Sequence, residues 1–182
     1  MHFKIFKRIF VVFIILMSIF LIGCQKTYMY PIHAQQCEII FNCTPTQLLQ
    51  SEPDCIDTVG DFRKKSYVYK NRHLMLVLTE PQREAMKEWL VEFPELEGRS
   101  DVEVSDDLSS VTVYYSPKFS EEGSPEVEAL YRVVNSVAGK ILLKQRLDGV
   151  PDEKISFLYT EIYIETGEVI YTETVTPAIV DP

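Results

Sequence analysis

The stretch SPEVEALYRVVNSVAGKILLKQRLDGVP, residues 124–151, decides the fold. Ser124 is a good N-cap, Pro125 suits the first helical turn, and Glu126 sets a negative charge beside the positive helix end. Val127, Leu130, Tyr131, Val134, Val137, Ala138 and Ile141 then recur at helical spacing, tracing one stripe over about five turns. Gly149, with Pro151 beyond it, supplies the stop. The rest of the chain offers no other element long enough to cover a sheet, so this stripe is read as core. It is not read as a membrane or partner face.

On both sides of this helix the apolar period falls to two, the mark of half-buried strands. Tyr67-Val68-Tyr69, a turn at Lys70-Asn71-Arg72 and residues 73–79 read as a β-hairpin. Leu74, Leu76 and Leu78 form its core face, which leaves His73 on the other face near the turn. Thr79 and Gln82 make a capping box for a second helix, with Met86, Trp89, Leu90 and Phe93 at helical spacing and Pro94 as its end. Trp89 sits mid-stripe and is expected to anchor core. Residues 95–107 are strongly acidic, but Val102 and Val104 alternate with Asp101 and Glu103, so a strand is expected rather than a calcium loop. Asp106-Asp107 then turn the chain, and Val111, Val113 and Tyr115 share one face of the returning strand.

Residues 155–164 and 169–175 form a last hairpin around Thr166-Gly167. The aliphatic Leu158, Ile162 and Ile164 mark its expected core face, with Phe157, Tyr159, Glu161 and Tyr163 opposite. Nearer the N-terminus, residues 38–41 suggest a short strand, and Thr44-Pro45 starts a helix of less than two turns. The expected architecture is therefore α+β, in the order ββαββαββ. An antiparallel sheet built from hairpins carries two helices on one face, all within a single domain over residues 37–182.

The first 24 residues are of another kind. Lys4, Lys7 and Arg8 precede an apolar run from 9 to 22 broken only by Ser18, and Leu21-Ile22-Gly23-Cys24 follows. The run is shorter than the roughly 20 residues a spanning helix needs. The segment resembles a bacterial lipoprotein signal peptide, and Leu21-Ile22-Gly23-Cys24 matches the lipobox position by position. The resemblance implies cleavage after Gly23, a diacylglyceryl group on the Cys24 sulfur, and residence on the extracytoplasmic face of a cell membrane, inner or outer. Residues 1–23 are then the signal peptide, and residues 24–36, which contain Pro31 and lack clear periodicity, are expected to be a lipid-anchored tether.

The chain carries 18 Lys and Arg against 27 Asp and Glu. Three of the basic residues and none of the acids lie in the leader, so the rest carries 15 against 27, a net charge of −12. Such a surface repels nucleic acid phosphates and anionic lipid alike. Cys37, Cys43 and Cys55 are an odd set, so one disulfide, unpaired thiols, or a metal site completed by His33 are the three arrangements to distinguish. No standard zinc spacing, nucleophile elbow or phosphate loop occurs, and no catalytic, cofactor or metal residue is assigned. The expected role is contact with an envelope protein or wall component through Tyr159, Tyr163 and Tyr171, without nucleic acid. The alternative is an envelope hydrolase using paired carboxylates.

Overall fold

The computed structural model describes residues 26–51, 55–97, 99, 101–116 and 125–177. In chain order the elements are β1 (Thr27–Ile32), α1 (Ala34–Phe41), α2 (Pro45–Gln50), α3 (Ile56–Val59), β2 (Tyr67–Tyr69), β3 (His73–Thr79), α4 (Glu80–Trp89), β4 (Val102–Val104), β5 (Ser110–Tyr115), α5 (Pro125–Leu147), β6 (Phe157–Tyr163) and β7 (Val169–Val175). They build an α+β fold with two sheets, one of order β1-β3-β2 and one of order β4-β5-β6-β7.

The long helix is where its sequence puts it. Val127, Leu130, Val134, Val137 and Ile141 are buried, while Tyr131 stands out to solvent at the stripe's edge. The helix serves both sheets. Leu130, Val134, Val137 and Ile141 pack with Val102, Val111, Val113, Phe157 and Tyr159 of the four-stranded sheet. Leu143 and Leu147, farther along, join Ile32, Leu74, Leu76, Leu78, Met86 and Leu90 of the three-stranded sheet and its helices. Ser124, the expected N-cap, lies outside the described residues.

Four expectations need correction. Residues 27–32 are not tether: they form β1, paired antiparallel with β3 from Thr27↔Thr79 to Ile32↔Leu74. Tyr28, Tyr30 and Ile32 turn toward the protein at alternate positions, and Pro31 is tolerated because β1 is an edge strand. Residues 38–41 are not a strand but the end of α1. The His33 side chain caps α1 by accepting from the Gln35 amide, and the Gln36 side chain reaches back to the His33 amide. Helical spacing then buries Cys37, Ile40 and Phe41 together.

The third correction concerns strand direction. β5 and β6 run parallel, from Ser110↔Leu158 to Tyr115↔Tyr163. α5 connects them, and a crossover helix of that length returns the chain to the end where β5 began. The fourth concerns which face is core. Ile155, Phe157 and Tyr159 are buried, and Leu158 and Ile164 are exposed, the reverse of what aliphatic character suggests. Gln145 of α5 fixes this register: its side chain donates to the Ser156 carbonyl (2.9 Å) and accepts from the Ser156 amide (3.0 Å). The larger rings then fill the space between helix and sheet.

α1 crosses α5 at Gly139. A Cβ there would stand 2.9 Å from Ile39 Cγ2 and 2.9 Å from Ile40 Cγ1, closer than packed carbons tolerate. Gly139→Ala is therefore expected to lower unfolding free energy by about 1–3 kcal/mol through overpacking. Leu130→Ala and Val134→Ala should each cost about 1–4 kcal/mol by lost burial and cavity formation. Urea denaturation midpoints check all three, and unchanged midpoints would show that α5 packs neither on the four-stranded sheet nor against α1.

Candidate functional site

The last hairpin gathers most of the exposed apolar surface. Of ten large apolar or aromatic side chains exposed among the described residues, six are Leu158, Tyr163, Ile164, Val169, Ile170 and Tyr171. A solvated hairpin needs no such concentration, and patches of this kind mark contact sites. The turn of the hairpin lies at the far end of α5 from the start of β1, while its base, at Phe157 and Val175, sits near the C-terminal end of that helix. Arg83 of α4 stacks over Tyr28 of β1 (4.7 Å) and donates through Nε to the Leu147 carbonyl (2.8 Å), so β1 begins beside the C-terminal end of α5. From Ser156, beside Gln145, β6 runs back along the helix toward Tyr131. The interval from Gln145 to Tyr131 is about 20 Å of helix axis.

The three tyrosines expected to form a contact surface divide. Tyr163 and Tyr171 are exposed, whereas Tyr159 is buried against α5 and serves the core. Tyr159 and Tyr171 nevertheless meet edge to face, with ring centroids 6.2 Å apart. Two carboxylates complete this face. The Tyr159 hydroxyl donates to Glu161 Oε1 and the Tyr171 hydroxyl to Glu173 Oε2, each at 2.6 Å. Burial first, and then the Glu161 carboxylate, raises the Tyr159 hydroxyl pKa; for Tyr171 the bond to Glu173 is the leading cause of its rise. The Tyr115 hydroxyl is buried beside those of Tyr131 and Tyr159, and burial raises its pKa too. All three phenols stay protonated at neutral pH, and those of Tyr159 and Tyr171 serve as donors to carboxylates rather than as bases.

A second concavity, of about 640 Å³, opens between α1 and α5 and is lined in part by Glu38, Asn42, Glu95, Arg132 and Asn135. It contains two carboxylates, but Glu95 is already engaged. Lys140, almost wholly buried, donates to Glu95 Oε2 (3.1 Å) and to the Glu92 carbonyl (3.0 Å), and the Ser136 hydroxyl donates to Glu95 Oε1 (2.9 Å). The Lys140 ammonium also lies 5.2 Å from the Trp89 ring centre. Glu95 is therefore the counter-ion of a buried lysine, a structural duty that conflicts with service as a catalytic acid. Trp89 is half-buried and stacks on Phe41 (5.8 Å, planes 2° apart), so it is an anchor, as its place in the stripe suggests.

The histidines and cysteines do structural work. His33 and His73 stack with ring centroids 4.5 Å apart, and His73 Nδ1 accepts from the Ala34 amide (3.2 Å) at the start of α1. Spacing gave no sign of that pairing, because the two rings are forty positions apart. Cys37, Cys43 and Cys55 form no disulfide with one another, and all lie within or against the core of the three-stranded sheet. Among the described residues no group of three or more His, Cys, Asp or Glu is placed to hold a metal ion. Cys24 lies outside the described residues.

Two measurements follow. Glu95→Ala strands the Lys140 charge and is expected to cost about 3 kcal/mol in unfolding free energy, whereas replacing both partners with Lys140→Met and Glu95→Gln should cost less. Burial, then the neighbouring Cys43 and Glu38, pushes the Cys37 thiol from 9.0 up to about 12. The folded value is the higher one, so this stabilisation is whole below pH 9.0 and is lost as pH rises toward 12. Stability measured across that range should fall from its lower edge in the wild type, and Cys37→Ala should delay the fall until the tyrosines begin to ionise.

Comparison of the chain with protein-family models, with curated proteins and with solved structures finds no match, so its function is argued from this geometry and from the sequence.

Proposed function

We propose that this chain is a lipid-anchored protein of the bacterial cell envelope, held on the extracytoplasmic face through Cys24. It works without catalysis, by contact between its last hairpin and another envelope protein or a wall component. The observation that carries this reading is the opposition of its two ends. Cys24, in the lipobox-like Leu21-Ile22-Gly23-Cys24, precedes β1 by only Gln25 and Lys26, and the exposed Tyr163, Ile164, Ile170 and Tyr171 lie at the other end of α5. Two acyl chains, each CH₂ contributing about 0.8 kcal/mol, make such an anchor stable where one chain gives marginal binding. Three residues of extended chain span about 10 Å, so the domain sits close to the lipid and presents the hairpin outward. Among the described residues no helix is long and apolar enough to cross a membrane. A lipid on Cys24 supplies attachment without one.

Cys24→Ala is expected to abolish incorporation of labelled acyl chain and to leave an unprocessed or released precursor. Persistent acyl labelling of that variant would refute the anchor. Tyr163→Ser with Tyr171→Ser should lose proximity crosslinks to envelope partners while the melting temperature stays within a few degrees, since both side chains are exposed. Unchanged crosslinks would rule out the hairpin as the contact surface.

A further inference from the structure

Among the described residues the sheets end in four edge strands, and three of them are blunted. β1 contains Pro31 and follows Lys26, while β2 and β4 are three residues long. Short length, proline and lysine are the usual means of keeping an edge from pairing with another chain. β7 has none of these: it runs for seven residues, all exposed but Val175, the last of them. A bulge at Ile170 interrupts only the start of its pairing with β6, leaving the ladder regular from Tyr171 to Val175.

The hydrogen-bonding pattern shows which groups β7 leaves open. Leu158 donates its amide to Ser109 and Ile164 donates to Tyr115, so the even-numbered residues of β6 face β5. The odd-numbered Phe157, Tyr159 and Glu161 therefore face β7, where they pair with Val175, Glu173 and Tyr171. This leaves the N–H and C=O groups of Thr172 and Thr174 on the outer edge, where no other described strand pairs with them. The two sides of that edge differ. Tyr171 and Glu173 lie on the helix side, and Thr172 and Thr174 on the other, next to Thr160 and the exposed Leu158. Residues 155–177 contain Glu161, Glu165, Glu168 and Glu173 and no Lys or Arg.

We infer that β7 is an acceptor edge for an extended polypeptide segment of a partner protein in which basic and β-branched residues alternate. The segment adds as a fifth strand. Its backbone takes up the free groups of Thr172 and Thr174, its basic side chains meet Glu173 and the face of Tyr171, and its β-branched side chains cover Thr172, Thr174 and Leu158. Charge selects the occupant. A second copy would bring two hairpins of four acids each together, whereas a basic strand neutralises one. This inference rests on the contact reading of the hairpin above and names the chemistry of the partner.

The test uses the full-length protein in detergent micelles, with an extended peptide of alternating Lys and Val as probe and a Glu–Val peptide as control. The Lys–Val peptide should slow hydrogen exchange at the Thr172 and Thr174 amides and leave β6 amides unchanged. Thr172→Pro removes one outward donor without touching the bonds to β6, and should weaken binding by about tenfold or more. Glu173→Lys, which keeps every backbone donor, should reverse the preference toward the Glu–Val peptide. Equal protection by both peptides in the wild type, or no protection of Thr172 and Thr174, would overturn the inference. So would protection that appears without peptide and tracks dimer formation in sedimentation, because a second copy would then be the occupant. Crosslinks in cells that survive both variants would sink this inference alone. Peptide binding that stands while wild-type crosslinks or Cys24 acylation are absent would sink only the anchored-contact reading.

Discussion

The fold depends on a single helix that supplies side chains to two cores at once. α5 buries Leu130, Val134, Val137 and Ile141 under the four-stranded sheet and Leu143 and Leu147 under the three-stranded one. Neither sheet has another long element to cover it, so the position of α5 determines how every other part meets. Two residues on adjacent positions hold that placement. Gly139 lets α1 approach to the limit of carbon contact, and Lys140 ties the helix to the segment after α4 through Glu92 and Glu95. A buried ion pair adds little net stability over an apolar substitute, yet losing one partner is costly. Its effect here is to fix where α4 ends relative to α5.

Further links work in the same sense at the helix's C-terminal end. Arg83 reaches the Leu147 carbonyl while its guanidinium lies over Tyr28, and Arg146 donates to the Pro31 carbonyl (3.0 Å). Helix end, first strand and α4 are thereby joined by cations that also complement the helix dipole. Toward the far end of α5 the described residues show no comparable set of cations between helix and strand. There the turn of the hairpin stands with Tyr163, Ile164, Val169 and Ile170 exposed, and β7 has neither the short length nor the proline found at the other edges. A molecule fastened at one end and open at the other fits a role in presenting a surface better than one in enclosing a substrate.

Local signals in the sequence were reliable wherever the deciding forces were local. The helix start at Thr44-Pro45, the capping box at Thr79, the α5 stripe, the Leu74, Leu76 and Leu78 face and the turn at Asp106-Asp107 all follow from neighbours within about four positions. The site was half legible. Tyr163 and Tyr171 could be named from their alternation with acids, but Tyr159 carries the same signal and is buried. Alternation separates two faces of a strand without saying which one meets the helix, and aliphatic character was a poor guide because larger aromatic rings filled the gap.

What the sequence determined by itself was the helices and strands from residue 67 onward, since each is written in contiguous residues, and the acidic charge. Tertiary structure decided the rest. It made β1 from a segment whose Tyr28, Tyr30 and Ile32 alternate around a discouraging Pro31, because β3 offered a free edge. It turned residues 38–41 into helix because a histidine cap and the surface of Gly139 favoured burial of Cys37, Ile40 and Phe41 together. It set β6 parallel to β5 and chose its core face through the Gln145–Ser156 clamp, and so left β7 as the open edge. Each of these outcomes is a choice between locally similar options. The energy that separates them lies in contacts between residues far apart in the chain, which no local pattern records.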